Sequence, residues 1–276
     1  VKLSIAALSG FLLIGPLMAA PVRYQPALDD AFFHLYNSDF DGSRAIVDNY
    51  LGAHADDPLA YSVKASGFLF SELDRLGILE SEFFKDDRQV SSKKHLVPDQ
   101  KSHDAFYAAI ERAQALANQA LARNANDTNA LFALCLANGD LTDYVALIEK
   151  KQMQSLTINK TGYRDAKRLL QIAPDYTDAY LTTGFTEYLI GSIPVLFRFF
   201  VRFDDVRGDT QAGVRNLQIV AKDGHYLKSF AKILLATAYL RDKHVPQARA
   251  LLQELTQTYP RNPLLKRELD RLSTQM

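Results

Sequence analysis

Six histidines and one cysteine are the residues of this chain best suited to metal ligation or nucleophilic chemistry, and their spacing offers little of either. His34, His54, His95, His103, His225 and His244 are scattered, with no HExxH pair and no other ligand spacing. The tetrapeptide His54-Ala55-Asp56-Asp57 does bring an imidazole and two carboxylates together, as a metal site would. Pro58 follows it, however, and Asp before Pro is how a helix often begins. The stretch therefore reads as a turn in which Asp57 caps the next helix. His95, Asp99 and His103 fall in a polar, aperiodic stretch that nothing visible pre-organises. Cys135 stands alone, which excludes an intramolecular disulfide and a thiolate metal cluster. It reads as a packed thiol, not a redox centre. No Gly-rich phosphate loop and no GxSxG elbow occurs. The sequence predicts no catalytic residue, no metal and no cofactor.

One stretch could do binding chemistry. GSIPVLFRFFVRFDDVRGD, from Gly191 to Asp209, predicts an inserted helix capped by Ser192, with Pro194 in its first turn and Gly208 at its end. Arg198, Arg202 and Asp205 fall at i, i+4 and i+7, a narrow polar stripe. Ile193, Leu196, Phe197, Phe199, Phe200, Val201 and Phe203 cover almost everything else. At about 14 residues it is too short to cross a bilayer. Three roles stay open: burial in the fold with the arginines paired to Asp204, Asp205 or Asp209, a partner-binding face, or a membrane-surface helix. The missing basic cluster weakens the last. Tyr180, Tyr188, Arg198, Phe199 and Arg202 form the candidate site, where aromatic faces and guanidinium forks would meet a protein partner, an extended peptide or a carboxylate.

Elements that could position such residues are helical throughout. Ala and Leu dominate, Trp is absent, and alternating β-branched runs are rare. The pattern predicts helices over 27–38, 42–52, 58–77, 103–123, 128–137, 142–157, 162–173, 176–190, 193–206, 210–222, 226–241, 245–258 and 262–274, with start signals at Asp57-Pro58, Asp175 and Ser192. Residues 85–103 read as a long surface loop. Charge balances, with 32 Lys+Arg against 32 Asp+Glu, which argues against wrapping nucleic acid or docking on anionic lipid by bulk electrostatics. Lys2, the apolar run Leu3 to Leu17 and the small residues Ala19-Ala20 have the layout of a secretory signal peptide cut near Ala19. That predicts a bacterial periplasmic or secreted protein, with one domain over residues 20–276 and no strong membrane binding after cleavage. An uncleaved anchor is the alternative.

Five segments share apolar or small residues at offsets 0, 3, 7 and 10. They are Phe40-Ser43-Val47-Tyr50, Ile110-Ala113-Ala117-Ala120, Tyr163-Ala166-Leu170-Ala173, Thr210-Gly213-Leu217-Val220 and Val245-Ala248-Leu252-Leu255. The second position is always small, as close approach of two helix backbones requires. The segment from Phe230 to Pro263 adds Ala236, Ala248 and Pro260 at even spacing. It resembles the tetratricopeptide repeat (TPR), the 34-residue helix-turn-helix unit. The resemblance extends more weakly over residues 27–274, with insertions at 85–103 and 191–209. It implies an all-α, right-handed superhelical array of antiparallel helix pairs, an α-solenoid with an extended concave surface that binds other proteins and catalyses nothing. Two further roles remain open: a soluble small-molecule-binding component serving a membrane transporter, and a membrane-attached assembly factor.

Overall fold

Every regular element in the computed structural model is a helix, among the residues it describes (24–79, 97–192 and 208–274). In chain order these are α1 (Pro26–Tyr36), α2 (Phe40–Ala53), α3 (Pro58–Arg75), α4 (Gln100–Arg123), α5 (Thr128–Asp143), α6 (Gln152–Ile172), α7 (Tyr180–Ser192), α8 (Thr210–Asp223), α9 (Lys228–Arg241), α10 (Val245–Thr258) and α11 (Pro263–Thr274). A π-helical turn, Tyr144–Ile148, extends α5, and a 3-10 turn, Thr177–Ala179, leads into α7. Each helix packs on the next, and α3 packs also on α1 and α5. The result is an all-α helical repeat array of five antiparallel pairs followed by α11.

The five segments of shared spacing are the second helices of the five pairs: α2, α4, α6, α8 and α10. Their small residues sit where the spacing requires. Ser43, Ala113, Ala166 and Ala248 are fully buried, and Gly213 is buried as well. At Gly213 the reason is geometric. A Cβ there would lie 2.6 Å from the Gly184 carbonyl oxygen and 2.5 Å from the Tyr188 nitrogen, so α7 and α8 touch backbone to backbone. Leu170 departs from the pattern: it is half-buried, while Leu169 beside it is fully covered.

Turns between pairs are closed by short polar side chains. Asp57 accepts from the Leu59 amide at 3.0 Å, Asp127 from Ala130 at 2.9 Å, and Asn262 from Leu264 and Leu265 at 2.9 and 3.2 Å. Asp57 also accepts from the Tyr50 hydroxyl and the Asn129 amide, so the His54–Asp57 cluster is a structural turn. Asp175 does not cap with its side chain; its carbonyl accepts from the Thr177 amide, and the 3-10 turn starts there. Cys135 is buried, and burial pushes its thiol well up, which makes it unreactive.

Three expectations are corrected. The gaps at 138–141 and 158–161 do not exist; α5 runs through the first and α6 through the second, with the break at Glu149–Lys151. Asn138, in the expected gap, accepts from Gln114 and donates to Asp165, and Asp140 accepts from the Ser66 hydroxyl at 2.6 Å. These polar groups are interhelical contacts, and the chain turns instead at Lys150, whose φ is 58°. Second, α4 begins at Gln100, capped by Asp99 on the Ser102 amide, so His103 is helical and its ring lies 4.7 Å from Tyr107. Third, the described residues do not leave an extended concave surface open. Its first helices return to its last ones, and aromatic side chains fill the interior. Phe32 of α1 stacks on Tyr226 at 5.2 Å, Phe132 of α5 lies 4.9 Å from Tyr176, and Phe70 of α3 meets Phe230 of α9 at 5.8 Å. Leu264 of α11 shares a buried cluster with Leu69, Leu73 and Ile78. Helix α5 with its π turn, Thr128–Ile148, is long and apolar enough to cross a membrane; here that apolarity is spent on burial against α3, α4 and α6.

The expected insertion after Gly191 leaves and returns at one point. A Cβ on Gly208 would lie 2.6 Å from the Gly191 nitrogen, so the chain ends flanking 193–207 are in contact. The inserted helix itself, most of the 85–103 loop and the expected signal peptide lie outside the described residues.

Candidate functional site: the seam between first and last repeats

Closure of the array creates a seam, and the seam holds a pocket. Helix α1 (PALDDAFFHLY) buries Leu28, Phe32 and Leu35 along one stripe, which turns Asp29, Asp30 and Phe33 towards its edge. Opposite lies the α8–α9 turn, whose shape is set by Asp178. This buried carboxylate accepts from three successive backbone amides, His225 at 2.9 Å, Tyr226 at 3.0 Å and Leu227 at 3.1 Å. Burial raises its pKa while the three N–H bonds pull the other way. The turn so held points Tyr226 inward and His225 outward.

Both residues then grip α1. The His225 ring stacks on Tyr24 at 3.6 Å, and its Nε2 meets Asp29 Oδ1 at 2.5 Å, which places the ring proton on Nε2. The Gln25 amide donates to the Tyr226 hydroxyl at 2.8 Å, and the Tyr36 hydroxyl donates to the Tyr226 carbonyl at 2.9 Å. The α10–α11 turn adds a second clasp: the Arg261 amide donates to Asn37 Oδ1 at 3.2 Å and Asn262 donates to the Tyr36 carbonyl at 2.8 Å.

Between these clasps is a cavity of about 320 Å³. Phe33, Tyr36 and Tyr259 form its walls, with ring centroids 5.8 Å apart for Phe33–Tyr259 and 5.3 Å for Tyr36–Tyr259. Ser229, hydrogen-bonded to the Tyr259 hydroxyl at 2.7 Å, closes its floor. Asp29, Asp30 and His225 stand at the rim, and among the described residues no Lys or Arg lines the pocket. Phe33 is 46 % exposed beside it, so its ring is accessible from the pocket mouth. Burial pushes the Tyr36 and Tyr259 hydroxyls up, so the walls are uncharged at neutral pH. A second hollow, about 60 Å³ and lined mainly by Leu35, Phe70, Leu79 and Phe230, is too small and too apolar to orient a ligand.

The residues singled out from the sequence behave differently. Tyr180 and Tyr188 both lie on α7, half-buried, about 12 Å apart along the helix axis. Tyr180 donates to the Pro174 carbonyl at 3.4 Å. Arg198, Phe199 and Arg202 lie outside the described residues. Sequence reasoning missed the seam, because its members stand up to 230 positions apart. The one available signal was the Phe32-Phe33 pair on an amphipathic helix, where only one ring can face the core. Among the described residues no group of three His, Cys, Asp or Glu side chains is placed to hold a metal.

No family model matches the chain, and no curated protein matches it. Among solved structures, a thermophilic TPR protein of Thermus thermophilus aligns with a TM-score of 0.49 at 12% identity, over 90% of this chain and 97% of that one.

Proposed function

We propose that this chain is an exported interaction scaffold that works by binding a protein partner, not by catalysis, and that the seam pocket is where the partner is anchored. The pocket carries the reading. It is an open cavity with a half-exposed Phe33 and a firmly clasped frame, whereas the concave interior is filled with the protein's own aromatic side chains. A partly exposed aromatic ring beside a rigid pocket is the arrangement interface hot spots use. The export reading rests on Lys2, the apolar run Leu3 to Leu17 and the small residues before Pro21, and it would put the protein in the periplasm or outside the cell.

The test is a pull-down of the full chain from the exported fraction, beside Phe33→Ala and Phe199→Ala. The reading expects one stoichiometric protein partner, lost with Phe33→Ala and retained with Phe199→Ala. Loss with Phe199→Ala alone would move the interface to the insertion. N-terminal sequencing of the same material should begin at Ala20; an intact N-terminus in the membrane fraction would contradict export by cleavage. A second reading, a soluble component that binds a small molecule, is favoured by the pocket's volume of about 320 Å³. It expects a melting shift with ligand and no protein partner.

A further inference from the structure

The chemistry of the seam pocket defines what it can hold, and we infer that it receives the arginine side chain of a partner protein. This rests on the scaffold reading above and makes it specific. Two carboxylates, Asp29 and Asp30, stand at the rim against a single imidazole, and no Lys or Arg among the described residues lines the cavity. Asp29 is already engaged by His225 through one oxygen, while Asp30 is exposed. An anion would meet repulsion at this mouth; a cation would meet attraction. Phe33, Tyr36 and Tyr259 line the same cavity, and aromatic rings attract cations through their π systems.

Guanidinium fits these demands better than ammonium. Its plane stacks on an aromatic face while its fork reaches carboxylate oxygens, whereas an ammonium is a strongly hydrated point charge. The volume of about 320 Å³ has room for a side chain with its stem. Ser229 and Tyr259 bond to one another at the floor, so the guanidinium, which enters ahead of its alkyl stem, is left to the aromatic lining and the rim carboxylates.

The experiment is an NMR titration of the full chain with N-acetyl-arginine methylamide, with the citrulline analogue as a neutral isostere and with tetramethylammonium as a free organic cation. The expected result is saturable binding of the arginine compound with shifts centred on Phe33 and Tyr259. Citrulline should bind at least about tenfold more weakly, and Phe33→Ala and Asp30→Asn should each weaken arginine binding about fivefold. Both side chains reach the surface, so the variants should fold, which their melting curves would verify. Equal binding of citrulline, or arginine shifts elsewhere on the protein, would overturn the proposal. Tighter binding of tetramethylammonium than of arginine would overturn the choice of a partner side chain as the source of the cation. Failure of the scaffold reading looks different: arginine would bind as described while the pull-down captured no protein.

Discussion

Two buried or half-buried carboxylates set the behaviour of this protein at the level of single residues. Asp178 satisfies three backbone amides of the α8–α9 turn, and its carboxylate is the acceptor all three share. Asp178→Ala would leave those donors without a partner and should cost about 3 kcal/mol in urea unfolding. Asp178→Asn, which keeps one acceptor oxygen, should cost less. Asp165 differs in sign. Burial raises its pKa to about 6, against the pull of Arg168 and Arg164. A carboxyl with a folded pKa above its unfolded value binds its proton more tightly in the folded state, so its contribution is best below about pH 4 and is lost as pH rises through about 6. Asp165→Asn keeps an acceptor for Asn138 and removes the titration. The variant should match the wild type at pH 4 and exceed it by about 1 kcal/mol at pH 7. Parallel stability curves across that range would show that Asp165 is as well solvated folded as unfolded. Asp140, whose carboxyl burial also holds up, titrates in both proteins and cancels from the comparison.

At the scale of the helices, two glycines inside helices make opposite predictions. Gly213 has the Gly184 carbonyl and the Tyr188 backbone where its Cβ would go, so Gly213→Ala must push α8 off α7, at a cost of about 2 kcal/mol. Gly139 in α5 has open space there, and Gly139→Ala should stabilise by about 0.5–1 kcal/mol through reduced freedom of the unfolded chain. Thermal or urea unfolding of the pair checks both signs. This is also the scale on which the sequence was most readable. The recurring small residue at Ser43, Ala113, Ala166, Gly213 and Ala248 marked the second helix of every pair, because backbone approach constrains residue size locally. The boundaries in α5 and α6 were not readable. Asn138 and Asp140 have turn chemistry by type, and only their partners Gln114, Asp165 and Ser66, brought up from other helices, make them helix residues here. The seam pocket was not read from the sequence, which pointed to Tyr180, Tyr188, Arg198, Phe199 and Arg202: helix periodicity can expose Phe33, but nothing local brings Tyr259 and His225 beside it.

For the whole molecule, the described repeats close on themselves, so that the interior is core and the proposed recognition site lies at the seam. Closure depends on contacts between residues some 200 positions apart: Tyr226 with Gln25 and Tyr36, His225 with Asp29, and Asn37 and Tyr36 with the turn at Arg261-Asn262. No local pattern encodes such contacts, which is why an open concave surface was the natural expectation for helix pairs of this kind. Closure is most directly tested by the distance between the array's ends. Spin labels on Asp30→Cys and Arg261→Cys would report it by pulsed electron resonance, since the buried Cys135 with its raised thiol pKa will not take the label. Both positions are exposed and flank the seam. An open stack would set the first and fifth pairs four spacings apart, about 40 Å at the usual helix separation. The closed array predicts one narrow distribution at about half that value; a broad distribution near 40 Å would contradict it.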